Sequence, residues 1–515
     1  MRHLVSALSL GASLALAGCV LTIQDHRPPV AAAAEAPDRA DAARGASEAN
    51  RAGASNAADA ELTARISADS LRGHLSFLAS DLLEGRGTPS RGVDLAAEYI
   101  AAQFRRAGLE AAGDDGYFQN AHWQYAKRGE NDITLTVTAA GKTLAVPAGG
   151  ASANFVEPLN LARRPAVFMT WQEALDDQGA ANGKVLVVPA AAIPGAPAVL
   201  RSRLKSKPAL VVMIDRERRH SRTKGGWLID PGQPVAKDGP PVVLLHAPDI
   251  AAVLEQGGAR VAAKVKAPTV SPLKLRNVIG VLRGSDPQLK NTYVMLSAHY
   301  DHLGIRDGEI FNGANDDGSG TVSVIEIASA LAAQKERPRR SIVFIALFGE
   351  ELGLLGSRYY AKNPVFPLKD TVMNLNLEQL GRTDDSEGAQ VSSATMTGFD
   401  YSTVGTALQR AGERTGIRFW KHPTNSDRYF ARSDNQALAD AGVPAHTLCV
   451  AFGFPDYHGK DDTWDKIDYD NMARVNRMIA VALRDIANDP VKPSWTDVPN
   501  AAKYREAARA LHAAP

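Results

Sequence analysis

Four apolar runs in the second half of the chain each end beside acidic or histidine side chains. The runs are Tyr293 to Ala298, Ile342 to Phe348, Val372 to Leu377 and Ala445 to Val450. Continuous apolar runs of this length are typical of strands that are buried on both faces. A helical pattern, such as Thr321 to Ala333, lies between them. Strands that alternate with helices predict an α/β fold with a mostly parallel, helix-covered sheet.

The residues that follow these runs are expected to form one site, because ligand crevices in such sheets lie beyond the carboxyl ends of the strands. The acids and imidazoles that fall there are His299, Asp301, Asp316, Glu350, Glu351, Glu378 and His458. Imidazole and carboxylate are ligands that zinc accepts. Two histidines with several carboxylates suffice for a pair of zinc ions. The sequence therefore predicts a hydrolytic metal centre.

Two pairs of nearby residues indicate how the side chains of such a centre share metal binding and proton transfer. His299 and Asp301 stand two apart, so in an extended chain both side chains point the same way and one can orient the other on a metal. Glu350 and Glu351 are adjacent and point in different directions. One of them can therefore bind metal while the other faces the attacking water. An exposed charged loop is the simpler interpretation of this second pair.

The turn from Gly313 to Gly320 has two further interpretations. Its acids could cap the helix that follows, near the positive end of the helix dipole. They also approach the spacing of a calcium-binding loop. Calcium is disfavoured because the first loop position is Asn315, because a strand precedes the loop, and because the last position, Glu326, lies within a helix.

Other function classes find little support in the composition and motifs. The 58 Lys and Arg residues balance 57 Asp and Glu residues, so no broad basic surface for nucleic acid is expected. The sequence contains no His-Glu-x-x-His helix motif, no Gly-x-Ser-x-Gly elbow and no phosphate-binding loop.

The N-terminus predicts export and a lipid anchor. Arg2 precedes an apolar stretch from Leu4 to Ala17, and the following Leu-Ala-Gly-Cys resembles the bacterial lipobox. The resemblance implies a signal peptide over residues 1–18, a lipid on Cys19 and, because Val20 follows, the outer membrane of a bacterial cell envelope, facing the periplasm. Plain cleavage near the same place is the alternative. Only the anchor is expected to contact the membrane, since no later run reaches the roughly 18 apolar residues of a membrane helix.

Changes in composition predict the domain organisation. Residues 19–60 are predicted to be a lipid anchor and a low-complexity tether, because Ala31 to Ala60 is almost wholly Ala, Asp, Glu, Arg, Gly, Ser and Asn. Residues 61–130 form the N-terminal part of the catalytic domain, and residues 131–270 are predicted to be a small β-rich insert. Residues 271–489 form the main catalytic part. Residues 490–515 are a C-terminal extension.

The N-terminal part predicts two helices. The first begins at Ser67 as N-cap, with Ser70 as the alternative one turn later, and places Leu71, Leu75, Leu78 and Leu82 at helical spacing. The second runs from about Val93 to Ala107. The chain has two cysteines, Cys19 and Cys449, so no internal disulfide is expected once Cys19 is modified.

Five motifs resemble, in order, those of the secreted dizinc aminopeptidase family, which includes glutamate carboxypeptidase and the glutaminyl cyclases. They are His299-Tyr-Asp-His-Leu-Gly304, Gly313 to Gly320, Gly349-Glu-Glu-Leu-Gly-Leu-Leu-Gly-Ser357, Asn376-Leu-Glu-Gln-Leu-Gly-Arg382, and Tyr457-His458 with Asp462-Thr463. The earlier Glu84-Gly-Arg-Gly87 resembles the N-terminal portion of the family. The β-rich insert resembles the protease-associated domain that many members carry.

This resemblance implies two Zn²⁺ ions per chain and a role for each residue. One zinc would be held by His299, Asp316 and Glu378. The other would be held by Asp316, Glu351 and His458, with Asp316 as the bridge. Glu350 would be the general base, Asp301 the partner of His299, and Tyr457 a hydrogen-bond donor to the oxyanion.

The resemblance further implies a zinc-exopeptidase fold and an aminopeptidase that removes N-terminal residues from peptides by means of a metal-bound hydroxide. Most aminopeptidases of the family have Asp where this chain has Glu378. A carboxypeptidase or dipeptidase is therefore the alternative, with Arg382 or Arg432 binding the substrate carboxylate. A glutaminyl cyclase is disfavoured by the insert. A non-catalytic, receptor-like binding module is disfavoured because such relatives typically lose ligands.

Overall fold

The computed structural model describes residues 57–193, 195–217, 226–232 and 239–513. From Asp59 onward the chain groups into one compact unit. The predicted signal peptide, Cys19 and nearly all of the predicted tether lie outside the described residues. Among the helices that are described, none combines the length and the apolar content of a membrane span.

After a helical stretch at residues 57–63, which includes the last residues of the predicted tether, the chain forms two helices and two strands, and both strands join the main sheet. These elements are α1 (Ala68–Leu78), α2 (Arg91–Arg106), β1 (Glu110–Ala111) and β2 (Phe118–Lys127). Ser67 is the N-cap of α1, as predicted, and its side chain accepts a hydrogen bond from the Ser70 N–H. The second predicted helix is α2, which begins and ends within two residues of the expected positions.

The expected continuation of the first helix to Leu82 is wrong. Leu71 and Leu75 are buried, but α1 ends at Leu78 and Leu82 is 78% exposed. The chain continues as a short 3-10 segment, Asp81–Arg86, in which Glu84 and Gly85 take positive φ angles. The helix ends before those residues, because Ser80 is already extended with φ −76° and ψ 155°, so the leucine spacing loses its meaning after Leu78.

Residues 133–265 form a second sheet of eight strands. The elements of this region are β3 (Ile133–Ala139), β4 (Lys142–Ala145), β5 (Ala151–Ala153), β6 (Leu159–Phe168), α3 (Trp171–Asp176), β7 (Val185–Pro189), α4 (Ala196–Arg203), β8 (Leu210–Ile214), β9 (Gly226–Ile229), β10 (Val242–Leu245), α5 (Pro248–Glu255) and β11 (Arg260–Val265). Their order in the sheet is β4-β3-β11-β6-β7-β8-β10-β5, and β6, β7, β8 and β10 run parallel. The predicted strands that begin at Ile133, Val185 and Leu210 appear as β3, β7 and β8.

This sheet has its own apolar layers on both faces. Val187 and Val212 pack on one face with α5, and Leu186 and Val211 pack on the other. β9 does not join it, because β9 pairs antiparallel with β2 of the main sheet. The region is therefore tied to the main sheet through β9. Its assignment as a protease-associated domain stays a prediction.

The remaining elements complete the main sheet and its helices. They are β12 (Thr269–Leu282), β13 (Tyr293–His299), β14 (Gly304–Arg306), β15 (Glu309–Phe311), α6 (Ser319–Ala332), β16 (Ser341–Leu347), α7 (Leu355–Lys362), β17 (Thr371–Leu377), β18 (Asp384–Asp385), β19 (Gly388–Ala389), β20 (Ser393–Met396), α8 (Val404–Thr415), β21 (Arg418–Phe419), α9 (Asn425–Arg428), α10 (Asn435–Asp440), β22 (Ala445–Cys449), α11 (Tyr469–Asn488) and α12 (Ala502–Ala513). The four predicted apolar runs are β13, β16, β17 and β22.

The strand order of the main sheet is β21-β20-β22-β17-β13-β16-β12-β2-β9, with β1 beside β12. The four strands at its centre, β22, β17, β13 and β16, run parallel. The strands on either side of them, β12 and β20, pair antiparallel. The predicted α/β class is confirmed, and the parallel pairing is concentrated at the strands that end beside the candidate residues.

Helices cover both faces of this sheet. On one face α11 packs against α1, α6 and α8, and on the other α10 packs against α7 and α12. Residues of β13 alternate between the two layers: Val294 and Leu296 join the first, and Tyr293 and Met295 the second. Each such buried side chain contributes about 1.5–3 kcal/mol of hydrophobic stabilisation. Helices packed on both faces of the sheet hold the ends of its central strands in fixed positions.

Candidate metal centre

The predicted metal-binding residues come from five segments that meet at one edge of the main sheet. His299 is the last residue of β13, Glu378 follows β17, and Glu351 lies in a single 3-10 turn after β16. Asp316 lies in the turn before α6, and His458 lies in the loop after β22. Because the central strands are parallel neighbours, their carboxyl ends bring these side chains together.

Asp316 occupies the middle of this cluster. Its Oδ1 lies 3.4 Å from Nε2 of His299, and its Oδ2 lies 3.2 Å from Nε2 of His458. Glu351 Oε1 lies 3.2 Å from the same nitrogen of His458. On the other side, Glu378 Oε1 lies 4.0 Å from Nε2 of His299. The two oxygens of one carboxylate therefore face two imidazoles, which is the arrangement that a bridge between two cations requires.

A third histidine, His302, also lies in the cluster. Its Nδ1 is 3.0 Å from Oε1 of Glu351. Donor atoms of His302, Asp316 and Glu351 all lie within 4.8 Å of one another. The sequence motif contains His302, but a spacing of three residues in irregular chain does not predict where a side chain points. Only the folded loop shows that the ring turns towards Glu351.

Asp301 connects His299 to the turn that carries the predicted base. Its Oδ1 lies 3.6 Å from Nδ1 of His299, and its backbone carbonyl oxygen lies 3.1 Å from the same nitrogen. The same Oδ1 accepts the backbone N–H of Glu350 at 3.1 Å. One buried carboxylate thus orients the imidazole and positions the turn of Glu350 and Glu351.

A buried polar chain supports Glu378. The Ser433 hydroxyl donates to Oε1 of Glu378. Asn376 Nδ2 donates to the Ser433 oxygen at 2.8 Å, and Asn376 Oδ1 accepts from the Ser297 hydroxyl at 2.8 Å. Sequence reasoning missed Ser433, which lies far along the chain. The polar Asn376 inside an apolar strand was the available signal.

The turn that carries Asp316 is held by hydrogen bonds from both sides. The Asp462 carboxylate accepts the backbone N–H groups of Asn315 and Asp316 at 2.9–3.1 Å. The Asn315 side-chain oxygen accepts the N–H of Gly381 at 2.8 Å, three residues beyond Glu378. Asp462 belongs to the last sequence motif, and the structure shows that it ties that loop to the turn of the bridging carboxylate.

Arg86 is a buried cation that connects three segments around the site. Its guanidinium donates to four backbone carbonyls, those of Tyr300 (2.8 Å), Leu78 (2.6 Å), Asn312 (2.7 Å) and Gly313 (2.8 Å). Burial lowers its pKa to about 10, against the opposing charges of nearby carboxylates. Arg86 therefore joins the end of α1 to the loops that precede His302 and Asp316, a role that its sequence motif did not reveal.

The imidazoles keep two of the carboxylates ionised. Burial by itself favours the neutral acid. At Asp316, the contacts with His299 and His458 outweigh burial and hold the pKa below its usual range. At Glu351, the contacts with His302 and His458 outweigh burial and lower the pKa to about 2. These two acids are therefore ionised over the whole neutral range.

The other two acids are shifted in the opposite direction. Burial, with the charge of Asp316 nearby, raises the pKa of Glu378 to about 7. Burial, together with the charges of Glu378 and Asp434, raises the pKa of Glu350 well above its usual value. Crowded carboxylates of this kind repel one another unless a cation neutralises them.

The donor set fits zinc. The separations of 3.0–3.4 Å between imidazole nitrogens and the oxygens of Asp316 and Glu351 are close to the roughly 3.4 Å between two ligand atoms on a tetrahedral zinc. Oδ2 of Asp316 and both ring nitrogens of His302 are buried and have no partner in hydrogen-bond geometry within the described part of the chain. Buried polar atoms rarely lack a hydrogen-bond partner. A cation bound between these atoms would supply the missing interaction.

Tyr457 and the two candidate arginines lie outside this cluster. The Tyr457 ring is 48% exposed and stacks on the His458 ring at 4.1 Å. Its pKa is raised by partial burial and by the charges of Asp316 and Glu378. No hydrogen bond places its hydroxyl, so its predicted role as a donor stays a prediction.

Arg382 is already paired. Its guanidinium contacts Asp384 at 2.5 Å and Asp456 at 2.7 Å, and its side chain is largely buried. Arg432 is exposed and lies 5.5 Å from the ring centre of Tyr429. Of the two arginines that could bind a substrate carboxylate, only Arg432 is therefore accessible.

Residues 277–483 match the family model described as Peptidase family M28. This segment of the chain is similar to peptidase family M28. The family resemblance seen in the sequence motifs is thereby confirmed. The matched segment runs from β12 to α11 and contains every predicted ligand.

Curated relatives of this segment include peptidases. Aminopeptidase YwaD of Bacillus subtilis strain 168 is 27% identical over 265 residues, which cover 50% of this chain and 54% of that protein. A probable zinc metalloprotease of Pyrenophora tritici-repentis is 36% identical over 270 residues, covering 43% and 53%. A probable glutamate carboxypeptidase of Zea mays is 28% identical over 240 residues, covering 43% and 32%. The chain spans about half, or less, of the length of these relatives.

Two solved structures share the fold over most of the chain. An aminopeptidase from Aneurinibacillus sp. strain AM-1 superposes with a TM-score of 0.58 at 20% identity, covering 84% of this chain and 97% of that chain. BSAP, a zinc aminopeptidase from Bacillus subtilis, superposes with a TM-score of 0.53 at 20% identity, covering 83% and 97%. At this level of identity the likeness shows the fold alone.

Proposed function

We propose that this protein is a zinc-dependent exopeptidase that binds two zinc ions and removes N-terminal residues from peptides. The observation that carries the proposal is the position of Asp316, whose two oxygens face His299 and His458 at 3.4 and 3.2 Å. A carboxylate shared in this way between two histidines suits two-metal hydrolysis. The relatives named as aminopeptidases and metalloproteases support the same reaction class.

Each residue of the cluster has a separate role in the proposed reaction. His299, Asp316 and Glu378 would hold one zinc, and Asp316, Glu351 and His458 the other. Bound there, the metals would lower the pKa of water and polarise the scissile carbonyl. Glu350 would take a proton from the attacking water and return it to the leaving amine. Asp301 would keep His299 oriented, and Tyr457 would donate a hydrogen bond to the developing oxyanion.

The paired state of Arg382 supports the amino direction. A carboxypeptidase or dipeptidase needs a free cation for the substrate carboxylate, and Arg382 is engaged by Asp384 and Asp456. Arg432 remains the only accessible one of the two, and the alternative rests on it. Arg432→Gln should leave hydrolysis of C-terminally blocked peptides unchanged if the enzyme is an aminopeptidase.

Matched peptides test the proposal directly. Purified protein loaded with zinc is given one peptide sequence in three forms: with both ends free, with an acetylated N-terminus, and with an amidated C-terminus. Cleavage of the first and third, with N-terminal residues released one at a time, is expected. Cleavage of the acetylated peptide with loss of C-terminal residues would establish the carboxypeptidase alternative instead. Full activity after exhaustive chelation would end the zinc proposal.

We further propose that Cys19 carries a lipid that anchors the protein in the outer membrane on its periplasmic side. The support is the lipobox resemblance at residues 16–19. Cys19→Ser should move the protein from the membrane fraction to the soluble fraction of the host cell without changing peptide hydrolysis. Unchanged fractionation would contradict the anchor, and lost hydrolysis would contradict the separation of anchor and catalysis.

A further inference from the structure

We propose that His302 is a metal ligand, so that the zinc held by Asp316, Glu351 and His458 has a fourth protein donor. This inference rests on the proposed function, because it assumes that the cluster binds metal. It adds a residue to the ligand set that the family resemblance implies.

The first support is the position of the His302 ring. Its Nδ1 lies 3.0 Å from Oε1 of Glu351, and that same oxygen lies 3.2 Å from Nε2 of His458. His458 Nε2 in turn lies 3.2 Å from Oδ2 of Asp316. Atoms that share one tetrahedral zinc stand roughly 3.4 Å apart. Donors of four residues therefore converge on one region.

The second support is that the ring nitrogens of His302 make no other polar contact with hydrogen-bond geometry among the described residues. The residue is buried, and among the residues that the structure describes neither Nδ1 nor Nε2 has a partner in hydrogen-bond geometry. The contact with Glu351 is close but not aligned along an N–H bond. The contact of His458 with Glu351 has the same character, as expected for two donors that point at a common ion and not at each other.

The backbone around His302 holds the ring in this place. The His302 N–H donates to the Arg86 carbonyl at 3.2 Å. The ring lies against Gly313, where a Cβ atom would come within 2.3 Å of the ring Cγ. On its other side the ring meets His458 edge-on at 5.8 Å between centroids. The imidazole is therefore preorganised and has little freedom to turn elsewhere.

A fourth protein ligand would make the two metals unequal. Zinc with four protein donors is typical of closed, tightly held sites, whereas catalytic zinc keeps a position for water or substrate. The ion beside Glu351 would then bind more tightly, and the ion beside Glu378 would be the one that exchanges and meets the substrate terminus.

The rival interpretation is that His302 only donates a hydrogen bond to Glu351 and so positions it. Loss of a hydrogen-bond partner of a ligand costs roughly 10- to 100-fold in metal affinity. A hydrogen bond of this kind can be restored by Asn, whose side-chain N–H stands near the position of the His Nδ1. A metal–imidazole bond cannot be restored in this way.

Zinc titration of metal-free protein against a chromogenic chelator separates the two interpretations. Wild type, His302→Ala and His302→Asn are compared, with His246→Asn as the control. His246 is a buried histidine of the other sheet, outside the metal centre. The ligand proposal expects both His302 variants to lose more than about 100-fold in the affinity of the tighter site, while the control keeps both sites. Recovery of tight binding in His302→Asn, or a loss below about 10-fold in His302→Ala, would overturn it.

A measurement on the wild type avoids any folding defect of the variants. Zinc X-ray absorption at one equivalent of metal counts the imidazoles on the tighter ion. Two imidazoles, from His302 and His458, are expected, and one imidazole would overturn the proposal. Wild type that binds no zinc would instead refute the proposed function itself, whereas two bound ions with one imidazole each would refute only the role of His302.

Discussion

The two sheets of this molecule bury histidine side chains in opposite ways. At the end of β10 in the eight-stranded sheet, His246 is satisfied on both sides: Nε2 lies 2.9 Å from the Ser152 hydroxyl and Nδ1 lies 2.9 Å from the Asp215 carbonyl. After β13 in the main sheet, His302 faces the Glu351 carboxylate, and neither ring nitrogen has a hydrogen-bond partner in the described ranges of the chain. Both sheets contain parallel strands, so parallel architecture alone does not make a site.

The two sheets differ in the charge of their buried polar groups and in whether those groups have hydrogen-bond partners. A buried polar group is tolerated when neutral partners complete its hydrogen bonds. A cluster of ionised acids and imidazoles is stable only when a counter-charge compensates the charge of the cluster. The eight-stranded sheet therefore buries polar groups for structure, whereas the edge of the main sheet has the composition of a metal centre. The following predictions test this contrast.

The largest effect is expected from Glu350→Gln. The amide cannot take a proton, and general-base catalysis contributes roughly 10²–10⁴-fold, so turnover should fall by several orders of magnitude. Both zinc ions should stay bound, as measured by elemental analysis. Glu351→Gln is the matched variant and should lose metal. A reversed outcome, with metal lost from Glu350→Gln, would mean that the roles of the two neighbours are exchanged.

The next largest effect is expected from Glu378→Asp. The shorter side chain would draw the carboxylate back from the metal beside His299, and a shift of about 1 Å can cost on the order of 100-fold in rate. Steady-state kinetics on aminoacyl substrates should show lower turnover with zinc retained. Equal or higher activity would show that the site is not adapted to the longer acid.

A pair of serine variants compares the two sheets directly. Ser433→Ala removes the hydroxyl that donates to Glu378 and should weaken zinc binding by roughly 10- to 100-fold. Ser152→Ala removes the partner of His246 in the other sheet and should leave zinc affinity unchanged. Competition with a chelator measures both. Equal zinc affinity in the two variants would remove the distinction between a supporting and a structural hydroxyl.

The smallest effect concerns stability and not catalysis. Burial lowers the pKa of His446 to about 4, and the ring is satisfied by the Ser402 hydroxyl at 2.6 Å and the Thr397 carbonyl at 2.9 Å. The unfolded chain takes up this proton near a pH of about 6.5, so stability is full above that pH and falls as the pH drops towards about 4. At about pH 5 the loss is on the order of 2 kcal/mol.

Thermal melts at pH 7 and pH 5 measure this effect. His446→Gln should be less stable than the wild type at pH 7, but its melting temperature should fall less between the two pH values. Ser202→Ala, at an exposed position of α4, serves as the control for general acid sensitivity. An identical pH dependence in His446→Gln and the wild type would show that His446 is not the group responsible.

Local sequence was enough to predict the elements and the candidate residues of the site. Apolar runs and the acids beside them are neighbours along the chain, so β13, β16, β17 and β22 could be predicted from hydrophobic pattern alone. Their parallel pairing follows from the helices between them. The error at Leu82 shows the limit of such patterns, because the extended backbone at Ser80 that follows α1 leaves no trace in hydrophobic spacing.

The tertiary structure alone decided which further side chains serve the site. Ser433 lies 55 residues from Glu378, and Arg86 lies 214 residues from the Tyr300 carbonyl that it binds. His302 was visible in its motif, yet the direction of its ring depends on Gly313 and on the loop that Arg86 holds. Contacts between distant segments arise only when the sheet closes and its helices pack. Residue spacing therefore identifies the side chains that can bind metal. Tertiary packing decides which of those side chains lie close together.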